Sequence, residues 1–195
     1  MVAWNKPGSL KVGTVGRPAE PGTVSLAPDG EAIVTRTALL SHGYFEAPEE
    51  DSRATFIGPH SVATGDIARF DEQGFLTITG RKKDAIIARS GEKFHPEPIE
   101  ALIQDHARIK AALVTSSDRN SGMTAILVVA RRDDETTTDI RRHIERVNSG
   151  LPACQRVTEL VFTEQDFTVD NGLRTKNLKL NRNAIRAALL TAAPA

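Results

Sequence analysis

Three cations stand in a row in Gly80-Arg81-Lys82-Lys83-Asp84, between the apolar runs 75–78 and 85–88. A guanidinium carries a fixed charge on a planar fork of donors, suited to phosphate oxygens. Such a knot serves a nucleotide if it sits at a joint between two folded regions. In an ordinary turn it is solvated, with Asp84 as counter-ion. Upstream, Thr64-Gly65-Asp66 sets a carboxylate behind a glycine. A carboxylate can accept two charge-assisted hydrogen bonds, each worth roughly 1.5–3 kcal/mol. Taken alone, the tripeptide reads as a turn. Ser90-Gly91-Glu92-Lys93 precedes Phe94-His95-Pro96. It is either a turn leading into a helix or a place where backbone passes close to a ligand, which glycine permits. His95 reads as a loop residue, and no histidine belongs to a Ser/His/Asp arrangement. Lys179, flanked by Lys176 and Arg182, reads on its own as a surface lysine before the last helix. Lys82 reads as solvated, as does the charge run Arg131 to Glu135.

Composition narrows the classes. The chain has 195 residues, of which 39% are hydrophobic, enough for one domain or two small ones. Lys+Arg and Asp+Glu are 25 each, so the net charge is zero. That argues against a bulk electrostatic binder of nucleic acid or membrane. Cys154 is the sole cysteine and reads as structural; no zinc-type spacing exists. A reducing cytoplasm is the expected location. The N-terminal segment has no long apolar run, so neither a signal peptide nor a membrane span is expected.

Two textures position these residues. Residues 1–78 carry short β-prone runs broken by Pro-Gly, Asp-Gly and Gln-Gly pairs. Asp29-Gly30 between 24–26 and 32–34 predicts a hairpin, and 67–70 with 75–78 predicts another. This half reads as all-β, a small barrel or a distorted sandwich. After Arg81 the pattern changes. Strands are predicted at 85–88, 109–115, 125–131 and 157–162, and a polar turn at 116–122. Helices are predicted at 96–103, 138–147 and 181–190, where apolar residues recur at helical spacing, as at Ile140, Ile144 and Val147. The fold class is therefore α+β: a small all-β subdomain over 1–82, then a compact α+β domain over 83–195.

The stretch TGDIARFDEQGFLTITGRKKDAIIARSGEKFHPEPIE (64–100) resembles the domain junction of adenylate-forming enzymes, the acyl-CoA synthetase and AMP-binding superfamily. VGTVGRPAEPGTVSLAPDGEAIV and HGYFEAPEE are similar to the stretches before that junction. FTVDNGLRTKNLKLNRNAI (167–185) looks most like long-chain fatty acyl-CoA synthetases. The resemblance runs over essentially the whole chain. The family's Ser/Thr/Gly-rich phosphate loop and its aromatic-Gly-x-Thr-Glu motif are missing. The chain thus resembles the last part of such an enzyme, a fragment or a truncated product.

The resemblance implies roles. Asp66 would hold the ribose hydroxyls and Arg81 the ribose and phosphate side of the nucleotide. Lys83 would be the hinge of the small lid domain. The loop Ser90, Gly91, Glu92 would approach the pantetheine thiol of CoA. Lys179 would be the adenylating lysine, bridging carboxylate and α-phosphate as negative charge crowds together. One departure stands out. The family's Thr-Pro-Thr is Thr175-Lys176-Asn177 here, which predicts a looser loop with a rival cation.

The implied activity is that of an ATP-dependent fatty acid–CoA ligase: acyl-AMP formation, then thioester formation with CoA. ATP/AMP and CoA are its cofactors, and Mg2+ is expected on ligands outside this chain. The implied partners are a fatty acid or other carboxylate and the missing large domain, in cis or in trans, with no nucleic-acid polymer and no membrane span. Alone, the chain is expected to be inactive. Two alternatives stand beside this: an interaction or regulatory module derived from a ligase, and part of a fatty acyl-AMP ligase that hands its acyl group to a carrier protein.

Overall fold

The computed structural model describes residues 2–38, 41, 43–46, 48–117 and 122–190. The chain divides into two compact units, Met1–Ala85 and Ile86–Ala195. Parts of the segment 42–50 and of the turn 116–122 lie outside the described residues.

In the first unit, β1 (Ala3–Trp4) pairs with β2 (Arg17–Pro18). The hairpin expected at Asp29-Gly30 joins β3 (Val24–Leu26) to β4 (Glu31–Thr35), with Val24 opposite Val34. A short helix, α1 (Glu49–Thr55), precedes β5 (Phe56–Gly58), β6 (Ser61–Phe70) and β7 (Leu76–Arg81). The strand β6 is the spine of the unit. It pairs antiparallel with β4 along residues 61–67, with β5 at Ser61 and Val62, and with β7 from Asp66 to Phe70. A five-stranded antiparallel sheet branching at β6, with the separate β1–β2 pair, thus stands in place of the expected barrel or sandwich. Its core is thin, centred on Val24, Ala32, Ala68 and Leu76.

The second unit opens with a hairpin of β8 (Ile86–Ile87) and β9 (Lys93–Phe94). There follow α2 (Glu97–Gln104), β10 (Ile109–Ser116), β11 (Met123–Val129), α3 (Asp134–Ser149), β12 (Val157–Thr163) and α4 (Arg182–Leu189). The sheet order is β10-β11-β12. The first pair is antiparallel and the second parallel. Parallel neighbours need a crossover, which α3 supplies. Strand alternation sends Ala112, Val114, Ala125 and Leu127 to one face, against Ile99 and Ile103 of α2 and Ile140 and Ile144 of α3. Ala111, Leu113, Ile126 and Val128 go to the other face, against Phe167, Leu173 and Ile185 of α4. The mixed α+β class is as expected.

Helix α3 starts at Asp134, four residues before the predicted start at 138. Asp133 is its N-cap, the carboxylate accepting from Thr136 N–H at 2.8 Å. Glu135 in the first turn pairs with Arg108. The run read as solvated therefore includes a helix start signal.

Candidate functional site

Asp66 and Arg81 face each other across the β6–β7 ladder, with Arg81 Nε 2.8 Å from Asp66 Oδ1. Gly65 brings them together. Its φ of +71° lies in the left-handed region, and the β4–β6 register shifts there, as at a bulge. Three further bonds fix this backbone. Gly65 N–H donates to Glu31 Oε1 at 2.8 Å, Thr64 Oγ1 donates to Ala32 O at 2.8 Å, and Arg81 Nη1 donates to Thr64 O at 3.3 Å. Both side chains stay partly exposed, 26% for Asp66 and 35% for Arg81.

Lys82 is pinned rather than free in solvent. Its ammonium lies 2.7 Å from Asp29 Oδ2 and 2.8 Å from Glu31 Oε2. These partners raise the affinity of Lys82 for its proton, the hydrogen bond it donates to Asp29 contributing most. Lys82 in turn holds the Asp29 carboxyl below its ordinary value of 3.8. Arg81 and Lys82 are thus both tied to their own sheet. Lys83, in the short 3-10 turn Lys82–Asp84, is exposed and has no bond to any described residue.

In the second unit, Ser90, Gly91 and Glu92 form the tip of the β8–β9 hairpin. Gly91 has φ +84° and its N–H donates to Ala88 O at 2.8 Å, while Ala88 N–H donates to Glu92 O at 2.8 Å. Only glycine holds that conformation without strain. The Glu92 carboxylate accepts from Cys154 Sγ at 2.9 Å. That bond, followed by burial, pushes the Cys154 thiol up from 9.0. Cys154 also packs against the core, which gives its structural reading a contact. His95 lies between β9 and α2, with Nδ1 buried and unpartnered among the described residues.

Lys179 sits on a tight loop ahead of α4. Thr175 N–H donates to Lys179 O at 2.8 Å, and Leu178 N–H donates to Thr175 O at 2.8 Å. Arg174 donates to Phe167 O at 2.9 Å and to Leu178 O at 2.6 Å. Leu178 takes φ +60°, rare for a residue with a side chain. Side-chain and backbone bonds thus span the loop from which the proline is missing. Lys179 itself is exposed, and its ammonium meets no described residue.

The two loops of this unit lie on opposite faces of its sheet. The hairpin carrying Gly91 packs through Ala88 and Phe94 onto the α2–α3 face. The loop carrying Lys179 packs through Leu173 and Leu180 onto the α4 face.

A family model, AMP-binding enzyme C-terminal domain, matches residues 83–188. The chain belongs to this family. Similarity extends beyond the matched residues. A long-chain-fatty-acid–CoA ligase of Mycobacterium tuberculosis is 28% identical over 205 residues, covering 94% of this chain and 34% of its own length. A salicylyl-CoA synthase / salicylate adenylyltransferase of a Streptomyces species is 32% identical over 193 residues, covering 92% of this chain and 33% of its own. The crystal structure of an anthranilate CoA ligase bound to anthranoyl-AMP superposes with TM-score 0.75 at 22% identity, covering 96% of this chain and 36% of that one, and shows the same fold. The chain spans about a third of the length of these relatives.

Several residues that shape the candidate site escape a reading by spacing. Glu31 is 7% exposed and holds both Gly65 and Lys82. Arg174 and Asn181 brace the Lys179 loop. The one local signal for Glu31 is an acid placed at a strand start behind Asp-Gly. Among the described residues no helix is long and apolar enough to cross a membrane, and no cluster of His, Cys, Asp and Glu could hold a metal ion.

Proposed function

We propose that the chain is the C-terminal part of an ATP-dependent ligase that joins a fatty acid to CoA through an acyl-adenylate. The observation that carries the reading is the opposed placement of two loops on one small sheet, with Lys179 on one face and Gly91 on the other. Two chemical steps at one centre need different groups beside it, and a unit with two working faces can present them in turn. In the first step Lys179 bridges the attacking carboxylate and the α-phosphate, offsetting the charge that builds on the phosphoryl oxygens. In the second, the open Ser90-Gly91-Glu92 tip lets pantetheine run close to the backbone. Asp66 accepts from the ribose hydroxyls, and Arg81 orients that carboxylate and faces the ribose and phosphate side of the nucleotide.

Lys83 is the proposed pivot, with the lid domain running from 83 to 195. Three facts support this. The family match begins at residue 83, the residues before it are tied into their sheet, and Lys83 is not. The fatty acid is favoured by the likeness to the mycobacterial ligase. The large domain, supplied in cis or in trans, brings the β- and γ-phosphate contacts and the Mg2+ ligands. The chain alone is then inactive but retains weak AMP affinity. Titration of the purified chain with AMP should show binding that Asp66→Asn removes. Formation of acyl-adenylate from ATP and a fatty acid by residues 1–195 alone would contradict the proposal.

A further inference from the structure

Among the described residues β10 is an edge strand, with β11 as its one ladder partner. At Val114 that edge is closed by side chains. Glu100 of α2 accepts Val114 N–H at 2.7 Å, and Arg182 of α4 donates toward Val114 O at 3.4 Å. The two side chains also grip each other fork to fork, with Arg182 Nη1 and Nη2 each 2.8 Å from a Glu100 oxygen. Glu100 is 5% exposed, so little water competes. Helix α2 packs on one face of the sheet and α4 on the other, so this pair clamps both layers to the strand edge between them.

The clamp lies three residues beyond Lys179. Arg182 is the first residue of α4, and Asn181 before it is the helix cap. Asn181 N–H donates to Leu173 O at 3.0 Å and its side-chain amide donates to Gly172 O at 3.1 Å. The loop is therefore fixed at its end by Arg182 and braced within by Arg174, while the Lys179 ammonium is left unengaged. Glu100 also occupies the Arg182 charge, which removes Arg182 as a rival cation beside Lys179.

We infer that Glu100 and Arg182 are positioning residues for Lys179 in the adenylating step, an inference that rests on the role proposed for Lys179. A lysine at 182 cannot reproduce the planar two-bond grip. A glutamine at 100 keeps the shape and loses the charge. Amide hydrogen exchange on the 195-residue chain tests the clamp. In Arg182→Lys and Glu100→Gln, the amides of Leu178, Lys179 and Asn181 should exchange at least ten-fold faster, while those of Leu127 and Val128 change less than two-fold. In the complete ligase, Arg182→Lys should lower kcat for acyl-adenylate formation about ten-fold at unchanged KM for ATP. Thioester formation from supplied acyl-adenylate should stay as it was. Equal acceleration of all these amides, or loop exchange and adenylation at wild-type rates in both variants, would overturn the inference. If Lys179→Ala leaves adenylation intact while the loop amides still accelerate, the clamp stands and the reading of Lys179 fails.

Discussion

Glu31 offers a measurable test of how the nucleotide side of the site is held. One of its oxygens accepts Gly65 N–H at 2.8 Å and the other the Lys82 ammonium at 2.8 Å, and the side chain is 9% exposed. A hydrogen bond to a charged, buried acceptor contributes about 1.5–3 kcal/mol, against about 0.5–1.5 kcal/mol for a neutral one. Glu31→Ala removes the acceptor and leaves Gly65 N–H unpaired inside the sheet, so a loss of about 2–3 kcal/mol is expected. Glu31→Gln keeps an acceptor for Gly65 and should cost about 1 kcal/mol. The Lys82 contact is half exposed and screened by water, so the Gly65 bond dominates. Trp4 is the only tryptophan and belongs to the same unit, so its fluorescence in urea reads this unit. With a slope of about 1 kcal/mol per molar urea for a small unit, the midpoint should fall by about 2–3 M for alanine and about 1 M for glutamine. A fall below about 0.5 M for alanine would refute the claim that Glu31 holds the Gly65 turn.

Two further outcomes follow from the same contacts. Asp29 and Asp71 are both held below their ordinary 3.8, chiefly by hydrogen bonds from Lys82 and Lys11 respectively. A depressed carboxylate stabilises the fold above its unfolded value and loses that contribution as pH falls through its folded one. The Trp4 urea midpoint should therefore be flat above about pH 5 and fall below about pH 4, with a shallower fall in Asp29→Asn. An identical acid limb in that variant would count against the Lys82 pair. The Cys154 thiol is raised by its bond to Glu92, so Glu92→Gln should speed alkylation of Cys154 by iodoacetamide at pH 8. An unchanged rate would remove that bond from the account.

Local pattern was enough for much of the fold. The Asp29-Gly30 hairpin, the long β6–β7 pair, the strands at 109–116 and 157–163 and the helix at 182–189 all follow from turn residues and apolar spacing. Helix α1 was invisible because it buries no residue and so has no apolar stripe to display. The start of α3 was misjudged because a capping aspartate and a solvated one look alike until a backbone N–H is seen to meet the carboxylate. The supports of the candidate site were hidden for a different reason. Glu31 meets Lys82 across 51 positions and Glu100 meets Arg182 across 82, distances over which sequence carries no register. Motifs pointed to the residues that would touch a ligand. The residues that hold those in place emerged from the folded chain.

The central claim is that Lys179 serves adenylation and leaves thiol transfer to the opposite face. The direct measurement is the two half-reactions of Lys179→Ala in the complete ligase, with acyl-adenylate formation followed by pyrophosphate release and thioester formation started from supplied acyl-adenylate. The account predicts that the first is abolished and the second largely kept. Equal loss in both would contradict it.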